Sequence, residues 1–214
     1  MRIDVWSDVV CPWCYLGKRR LELALDRLDF ADEVEVRWRA FQLDPTATET
    51  PKDLAAAIDR KYGPGAFDGM QRRLGALGEA VGIDYRFDIA QRVTSLPALA
   101  LVAWVESTEG ADAASRLHDR LFRAYFTEGA NIAEPSNLVA WAVEVGADRE
   151  LAGEAVATGA GRDVVAADLQ AAAARDITGV PAFVIEDAHL IPGAQDVETM
   201  QHLLTRIHAK LAGR

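Results

Sequence analysis

The chain has 214 residues, of which 50% are hydrophobic and 26% are charged, as in one well-filled domain or a small domain with a large insertion. This composition excludes a disordered, collagen-like or low-complexity chain. The 33 acidic residues outnumber 23 Lys and Arg, for a formal net charge of -10, which argues against nucleic acid or an anionic membrane as a partner because both attract basic surfaces.

The sequence also argues against a membrane span and a secretion signal. No apolar stretch approaches the roughly 20 residues that a membrane helix needs. Asp4 and Asp8 lie where a signal peptide would be apolar. We therefore expect a cytoplasmic protein. The dense basic runs, Lys18–Arg20 and Arg72–Arg73, are expected to be solvated helix faces.

The first 42 residues predict a strand, a helix and a second strand. Ile3–Trp6 is β-prone, and Pro12 begins a helical stretch to about Leu28, because proline is tolerated at the first helical position. Strict alternation over Val34–Ala40 predicts a strand with one buried face. The result is a βαβ unit with Cys11 at its strand-to-helix turn.

The middle of the chain, from about Thr50 to Ile177, shows no convincing strand. Thr50 and Pro51 form a good helix start as N-cap and first helical residue. Gly82 and Gly146 are placed to end helices. Apolar periodicity predicts five to seven helices, an all-α block of roughly 125 residues.

The β signals return at the end of the chain. Ala182–Glu186 is an apolar strand, Asp187 and Ala188 make a tight connection, and His189–Ile191 is a second short strand. A last amphipathic helix follows Gly193. Neither end of the chain can bury its sheet alone, so the four strands should pair into one sheet.

These elements predict an α/β fold in which a four-stranded mixed sheet is interrupted by a large all-α insertion. Residues 1–48 and 175–214 would form one discontinuous domain. Residues 49–174 would form an inserted helical domain.

Cys11 and Cys14, the two cysteines of the sequence, are the candidate catalytic residues. Their spacing lets the sulfurs close into a small ring, and the free N–H groups of a first helical turn favour a thiolate at Cys11. Cys14 would attack the mixed disulfide that Cys11 forms with a substrate. Pro12 and Trp13 would form the rim of the site.

Two other uses of the cysteine pair need weighing. A zinc site needs two more ligands, and the four histidines show no ligand-like pairing except for His202 and His208, six residues apart. The pair could also be two structural thiols. Its position at the strand-to-helix turn of a βαβ unit favours redox chemistry over both interpretations, so we expect no metal.

Several motifs of the chain match one family. They are Ser7-Asp8, Cys11-Pro12-Trp13-Cys14-Tyr15 with Gly17, Tyr125–Gly129, Gly179–Ile185 and Gly193–Gln195. In this order they resemble the DsbA family of the thioredoxin superfamily, and within it the cytosolic FrnE-like branch. The resemblance implies a thioredoxin-like fold interrupted by helices, with the sheet domain as its thioredoxin-like part. It also implies that Pro181 is a cis-proline facing the cysteines and that the backbone of Val180 docks an extended substrate.

One position departs from the superfamily pattern. The acidic residue that often precedes the first cysteine by six positions is Val5 here. Asp4 and Asp8 flank it, and their roles stay open: a proton relay toward Cys14, surface carboxylates or, for Asp8, a cap of the turn. Tyr125 is a core residue or lines the cleft.

The favoured function is a thiol–disulfide oxidoreductase acting on protein or peptide disulfides. The reductase or isomerase direction is preferred because the cytosol keeps such a dithiol reduced. No bound cofactor is expected, and glutathione is a candidate partner in thiol exchange. The chain is expected to be a monomer or a homodimer.

Two alternatives remain at the level of sequence. One is a glutathione-dependent isomerase or transferase of small aromatic molecules, similar to 2-hydroxychromene-2-carboxylate isomerases and kappa-class glutathione transferases, or a polyketide-tailoring enzyme. The other is a chaperone or binding module whose apolar groove surrounds Trp13. Fold alone does not decide between them.

Overall fold

The computed structural model describes residues 1–213. The fold consists of a mixed sheet and a block of helices. In chain order the elements are β1 (Arg2–Ser7), α1 (Pro12–Leu25), β2 (Glu35–Ala40), β3 (Lys52–Asp53), α2 (Leu54–Tyr62), α3 (Ala66–Glu79), β4 (Gln91–Arg92), α4 (Leu96–Glu109), α5 (Ala111–Phe126), α6 (Pro135–Glu144), α7 (Arg149–Thr158), α8 (Arg162–Ala174), β5 (Ala182–Ile185), β6 (His189–Pro192) and α9 (Val197–Ala212). Seven helices, α2 to α8, separate the two parts of the sheet, which confirms the predicted helical block.

The main sheet has the strand order β2-β1-β5-β6. β1 runs parallel to β2 and antiparallel to β5, and β5 runs antiparallel to β6. Strands from the two ends of the chain therefore lie side by side, and the predicted four-stranded mixed sheet is confirmed. The division into domains at residues 48 and 175 stays a prediction.

The pleat of β1 sends its side chains to two different apolar layers. Ile3 and Val5 pack with α1 and α9 through Leu21 and Met200, whereas Trp6 packs on the other face beside α8. Because successive residues of a strand alternate between faces, each side chain of β1 is assigned to one layer. The alternation also determines which polar side chains of β1 lie on the α1 side of the sheet, toward the helix that begins at the cysteines.

Helix α1 is shorter than the sequence predicts. It ends at Leu25, and the N–H groups of Arg27 and Leu28 then bond to the carbonyls of Ala24 and Leu25 at 3.1 and 2.9 Å. These three-residue turns are tighter than α-helix. They bring Leu28 back to the apolar layer under the sheet.

The helical block contains a two-stranded ribbon that the sequence analysis missed. β3 pairs antiparallel with β4 through two residues each, too short a length for an alternation pattern to be recognised. The predicted helix start at Thr50 and Pro51 is also wrong. α2 begins at Leu54, because the Asp53 side chain accepts the Ala56 N–H at 2.9 Å as N-cap.

Lys18 was expected on a solvated helix face, and that expectation is wrong. Its side chain is buried beside the Trp38 ring, with the ammonium 5.1 Å from the ring centre. The same ammonium pairs with Glu22 and lies 3.9 Å from Asp119. A lysine stem can cover apolar surface while its charge finds partners, which residue type alone does not reveal.

The largest apolar cluster joins the helical block to the active-site turn. It contains Val9, Cys14 and Leu16 together with residues of α4, α5 and α6. The start of α1 therefore shares its core with the inserted helices as well as with the sheet. Among residues 1–213, no helix has both the length and the apolar character needed to cross a bilayer.

Candidate active site

The two cysteines lie at the start of α1, after the turn that follows β1. Cys11 is the N-cap of α1, and its N–H donates to the Asp8 carbonyl at 2.9 Å. The Cys14 N–H donates to the Cys11 carbonyl at 3.0 Å, which closes the first helical turn. Both thiols are free and buried. Cys11 lines the cavity beside it and Cys14 does not, so Cys11 is the thiol that borders open space.

The segment before β5 faces Cys11. The peptide bond between Val180 and Pro181 is cis, and the Cys11 Sγ lies 3.7 Å from the Val180 carbonyl oxygen. The Pro181 carbonyl accepts the Gly193 N–H at 2.8 Å, which holds this segment against the end of β6. The predicted cis-proline and its place opposite the cysteines are confirmed. The substrate-docking role of Val180 and Pro181 stays a prediction.

Gly17 lets α1 approach Pro181 closely. A Cβ atom at position 17 would lie 2.8 Å from the Pro181 Cγ and 3.3 Å from the Phe183 ring. The sequence carried a signal of this contact, because glycine in a helix interior costs about 1 kcal/mol relative to alanine and needs a reason. Gly17 therefore fixes the distance between the cysteine helix and the cis-proline segment.

The surroundings of Cys14 hold it as a thiol. Burial raises the pKa of Cys14 well above its ordinary value, and the Cys11 thiol raises it further. The Asp8 N–H and the Ser7 hydroxyl act in the opposite direction. The Ser7 hydroxyl is buried and has no hydrogen-bond partner in the part of the chain described, so it is available to a Cys14 thiolate. Sequence reasoning missed Ser7, although strand alternation places it on the Val5 face of β1, toward α1.

Asp8 ties the active-site turn to the loop after β2. Its carboxylate accepts the Val10 N–H at 3.3 Å and the Leu43 N–H at 2.7 Å. Burial raises the pKa of Asp8 to about 6, against the opposing effect of these hydrogen bonds and of the Ser95 hydroxyl. The expected cap of the turn is confirmed and the surface position is wrong. A proton-relay role for Asp8 stays a prediction.

Asp4 lies away from the cysteines. Its buried carboxylate pairs with Arg2 and Arg39, each at 2.8 Å. Because it alternates with Val5 along β1, it lies on the Trp6 face of the sheet, opposite α1. The expected surface position is therefore wrong, and the structure does not bring Asp4 toward Cys14.

Pro12 and Trp13, the predicted rim residues, both line the cavity. The Pro12 carbonyl accepts a hydrogen bond from the Tyr85 hydroxyl at 2.6 Å. The Arg73 guanidinium carbon lies 5.1 Å from the centre of the Trp13 ring. Arg73 is exposed, as the sequence predicts for this basic run, yet it also stacks on the rim.

A cavity of about 530 Å³ opens beside Cys11. Its wall is mainly apolar and includes Val10, Leu43, Leu54, Ile58, Met70 and Val93. The buried ring of Tyr125 also lines it, which answers the question left open for this residue. Residues 1–213 contain no group of three or more His, Cys, Asp or Glu side chains placed to hold a metal.

Comparison with known proteins gives a family match and a bacterial relative. The model of the DSBA-like thioredoxin domain family matches residues 2–205. YwbO of Bacillus subtilis (strain 168), an uncharacterised protein, is 30% identical over 209 residues, covering 96% of each chain. The match therefore extends over both the sheet and the inserted helices.

Two solved structures share the fold. A probable DsbA oxidoreductase of Streptomyces coelicolor, SCO1869, is 33% identical with a TM-score of 0.88, over 96% of this chain and 89% of that chain. The cytosolic disulfide reductase DsbM of Pseudomonas aeruginosa is 21% identical with a TM-score of 0.71, over 98% of this chain and 100% of that chain. At that identity the second likeness shows the fold alone.

Proposed function

This chain belongs to the DSBA-like thioredoxin domain family, and from that membership we propose that it reduces or isomerises disulfides of proteins or peptides through Cys11 and Cys14. One observation carries the proposal. The Cys11 sulfur lies 3.7 Å from the Val180 carbonyl beside the cis-Pro181, with Cys14 buried behind it. A nucleophile, a resolving thiol and a free backbone group for an extended chain thus meet at one point.

The reaction takes two exchange steps. The Cys11 thiolate attacks one sulfur of the substrate disulfide, and the other substrate sulfur leaves as a thiolate. Cys14 then loses its proton and attacks the Cys11 sulfur, which releases the second substrate thiol and forms the Cys11–Cys14 disulfide. Two electrons pass from the protein to the substrate. The Asp8 N–H and the Ser7 hydroxyl favour the charged form of Cys14 that the second step needs.

We further propose a cytoplasmic location and glutathione as the thiol that returns the protein to its reduced form. In the cytosol a dithiol of this kind is held largely reduced, which favours reduction or isomerisation over net oxidation. Trapping the thiols of Cys11 and Cys14 in intact cells tests this directly. A largely oxidised pair in growing cells would contradict both the location and the direction. Membership of the FrnE-like branch stays a prediction.

The decisive experiment is an equilibrium titration of the full chain against glutathione and glutathione disulfide, with thiol trapping at each ratio. We expect one reversible two-electron transition, accompanied by a Cys11–Cys14 disulfide. A stable glutathione adduct on Cys11 without an internal disulfide at any ratio would favour the isomerase or transferase alternative. The Cys14→Ser variant is the matched control, because it should give only that adduct.

A chaperone or binding function is separated by the double variant Cys11→Ser, Cys14→Ser. The proposed chemistry predicts that this variant loses all disulfide exchange. If it instead keeps the full biological activity of the wild type, the redox function is wrong and the chaperone or binding function is supported.

A further inference from the structure

Helix α2 lies along the cavity beside Cys11 and touches the largest apolar cluster through Leu54. None of the residues Leu54–Tyr62 is buried. Its apolar side chains Leu54, Ala57 and Ile58 line the cavity instead. Protein interiors are packed closely, and an amphipathic helix normally buries its apolar face against other elements. The apolar face of α2 therefore lies where it can contact a bound group.

The size and the wall of the cavity match a small apolar group. Its volume of about 530 Å³ falls within the range of small-molecule sites, roughly 300–1,000 Å³. Of the three charged side chains on the wall, Asp44 and Arg92 pair with each other at 2.6 Å, and the Lys61 ammonium lies 5.1 Å from the centre of the Tyr62 ring. Because Asp44 and Arg92 satisfy each other, the wall is mainly apolar, with one further positive charge at Lys61.

The cavity and the cis-proline segment are two separate features beside Cys11. Cys11 borders the cavity, whereas Val180 and Pro181 do not line it and border a separate groove. A disulfide substrate carries one organic group on each of its two sulfurs, and each of these groups is called an arm here. The structure thus offers one place for each arm: the backbone of Val180 for an extended chain, and the cavity for a compact group.

We infer that the substrates of this site are mixed disulfides in which one sulfur carries a peptide-like arm and the other a compact apolar group, aromatic or branched aliphatic. This inference rests on the proposed dithiol function. Cys11 attacks one sulfur and the other leaves as a thiolate. Cys14 then displaces the bound sulfur, so that both arms depart as thiols while the Cys11–Cys14 disulfide takes the oxidised state. The two electrons come from the protein dithiol.

The test compares two probes that differ in one arm. They are the mixed disulfides of N-acetylcysteine amide with phenylmethanethiol and with methanethiol, each mixed with the reduced full-length protein in a single turnover. Quenched samples are thiol-trapped to give second-order rate constants. Each constant is divided by that of the same probe with dithiothreitol, which removes intrinsic reactivity. We expect the benzyl probe to react about tenfold faster or more, from burial of its ring.

Two neighbouring alanines provide a matched pair of variants. Ala57 lines the cavity, whereas Ala56 on the same helix is exposed to solvent. Ala57→Phe should fill the cavity and reduce the benzyl rate to within about threefold of the methyl rate. Ala56→Phe should change neither rate. Ala66→Phe, from the start of α3, blocks the cavity from a second element if Ala57→Phe folds poorly.

The outcomes separate this inference from the proposed function. Faster benzyl reaction that is lost in Ala57→Phe and kept in Ala56→Phe supports it. Equal normalised rates for the two probes in the wild type overturn it, and so does an equal effect of Ala56→Phe and Ala57→Phe. Failure of the wild type to react with either probe, or with glutathione disulfide, overturns the dithiol function itself and this inference with it.

Discussion

The two sides of the active-site turn are packed in opposite ways. Toward the sheet, Gly17 leaves no room for a single extra carbon beside Pro181, and Cys14 is fully enclosed. Toward the helices, α2 buries none of its residues, and a Cβ atom added at Gly75 on α3 would meet no heavy atom within 4 Å apart from its chain neighbours and the adjoining backbone of its own helix. The comparison fits the proposed function: close packing on one side would hold the two sulfurs in place for exchange, and the cavity on the other side would admit part of the substrate.

The largest expected effect concerns the two sulfurs on the closely packed side. Cys11→Ser should lower the rate of disulfide reduction by about a thousandfold or more, because the nucleophile is lost. Cys14→Ser should keep the first attack and accumulate a mixed disulfide on Cys11. Mass spectrometry of quenched reactions measures both. Accumulation of the adduct on Cys14 in a Cys11→Ser protein would reverse the assigned roles.

The second effect is a pH dependence that differs between the two sides. In the folded protein the pKa of Asp8 is raised from 3.8 to about 6, so the folded state holds its proton more tightly. The free energy of unfolding should therefore fall by about 2 kcal/mol as pH rises from about 4 to 7. Asp8→Asn should remove that part of the slope, as seen by urea unfolding of both proteins across this range.

Asp44 on the cavity wall is the matched control for this slope. Burial acts to raise the pKa of Asp44, but hydrogen bonds from Thr46 and Arg92 outweigh it, and the pKa lies below its ordinary value. Its stabilising effect is present above the unfolded pKa of about 3.8 and is lost as pH falls through the lower folded value. The loss of stability relative to the wild type should thus grow toward neutral pH for Asp44→Asn and shrink toward neutral pH for Asp8→Asn, which also loses one of its two buried acceptor oxygens. Parallel slopes in the two variants would contradict the contrast.

The third effect uses one substitution on both sides. Gly17→Ala should destabilise the protein by about 1–2 kcal/mol, because the clash with Pro181 outweighs the gain in helix propensity. Gly75→Ala, with open space around it, should stabilise the protein by about 0.5–1 kcal/mol. Urea unfolding measures both. If both substitutions changed the free energy of unfolding in the same direction, the difference in packing would not affect stability as proposed.

The smallest effect concerns Ser7 as a positioning residue for Cys14. Ser7→Ala should slow the release step by about 3–10-fold, because the Cys14 thiolate loses a hydrogen-bond donor. The pH profile of that step should move to higher pH, and Ser7→Thr should restore it. A loss of thermal stability with an unmoved pH profile would show that the hydroxyl is only structural.

The chemistry of the turn could be predicted from sequence because it is local. The spacing of Cys11 and Cys14 after a strand fixes their place at a helix start, whatever packs around them. The cis geometry of Pro181 and its place opposite the cysteines could not be predicted from local spacing. They were predicted from the family resemblance. The structure then placed the Val180 carbonyl beside Cys11.

What sequence reasoning missed depends on contacts between distant segments. Residue type marks Lys18 and Asp4 as surface residues, but Trp38 and Arg39 on β2 supply the partners that bury them. Periodicity shows that α2 has an apolar face, yet not that this face borders a cavity over Cys11. These contacts join segments that are far apart in the sequence, so no local sequence pattern predicts them.

The core shared by the active-site turn and the inserted helices limits how far this molecule can be miniaturised. Excising residues 49–174 to leave the sheet domain would uncover Val9, Cys14 and Leu16, which lie in the cluster built mainly by those helices. A shortened catalyst would then expose its resolving sulfur to water and oxidants. The inserted helices therefore shield Cys14 from solvent, and a shortened variant would need other residues to cover it.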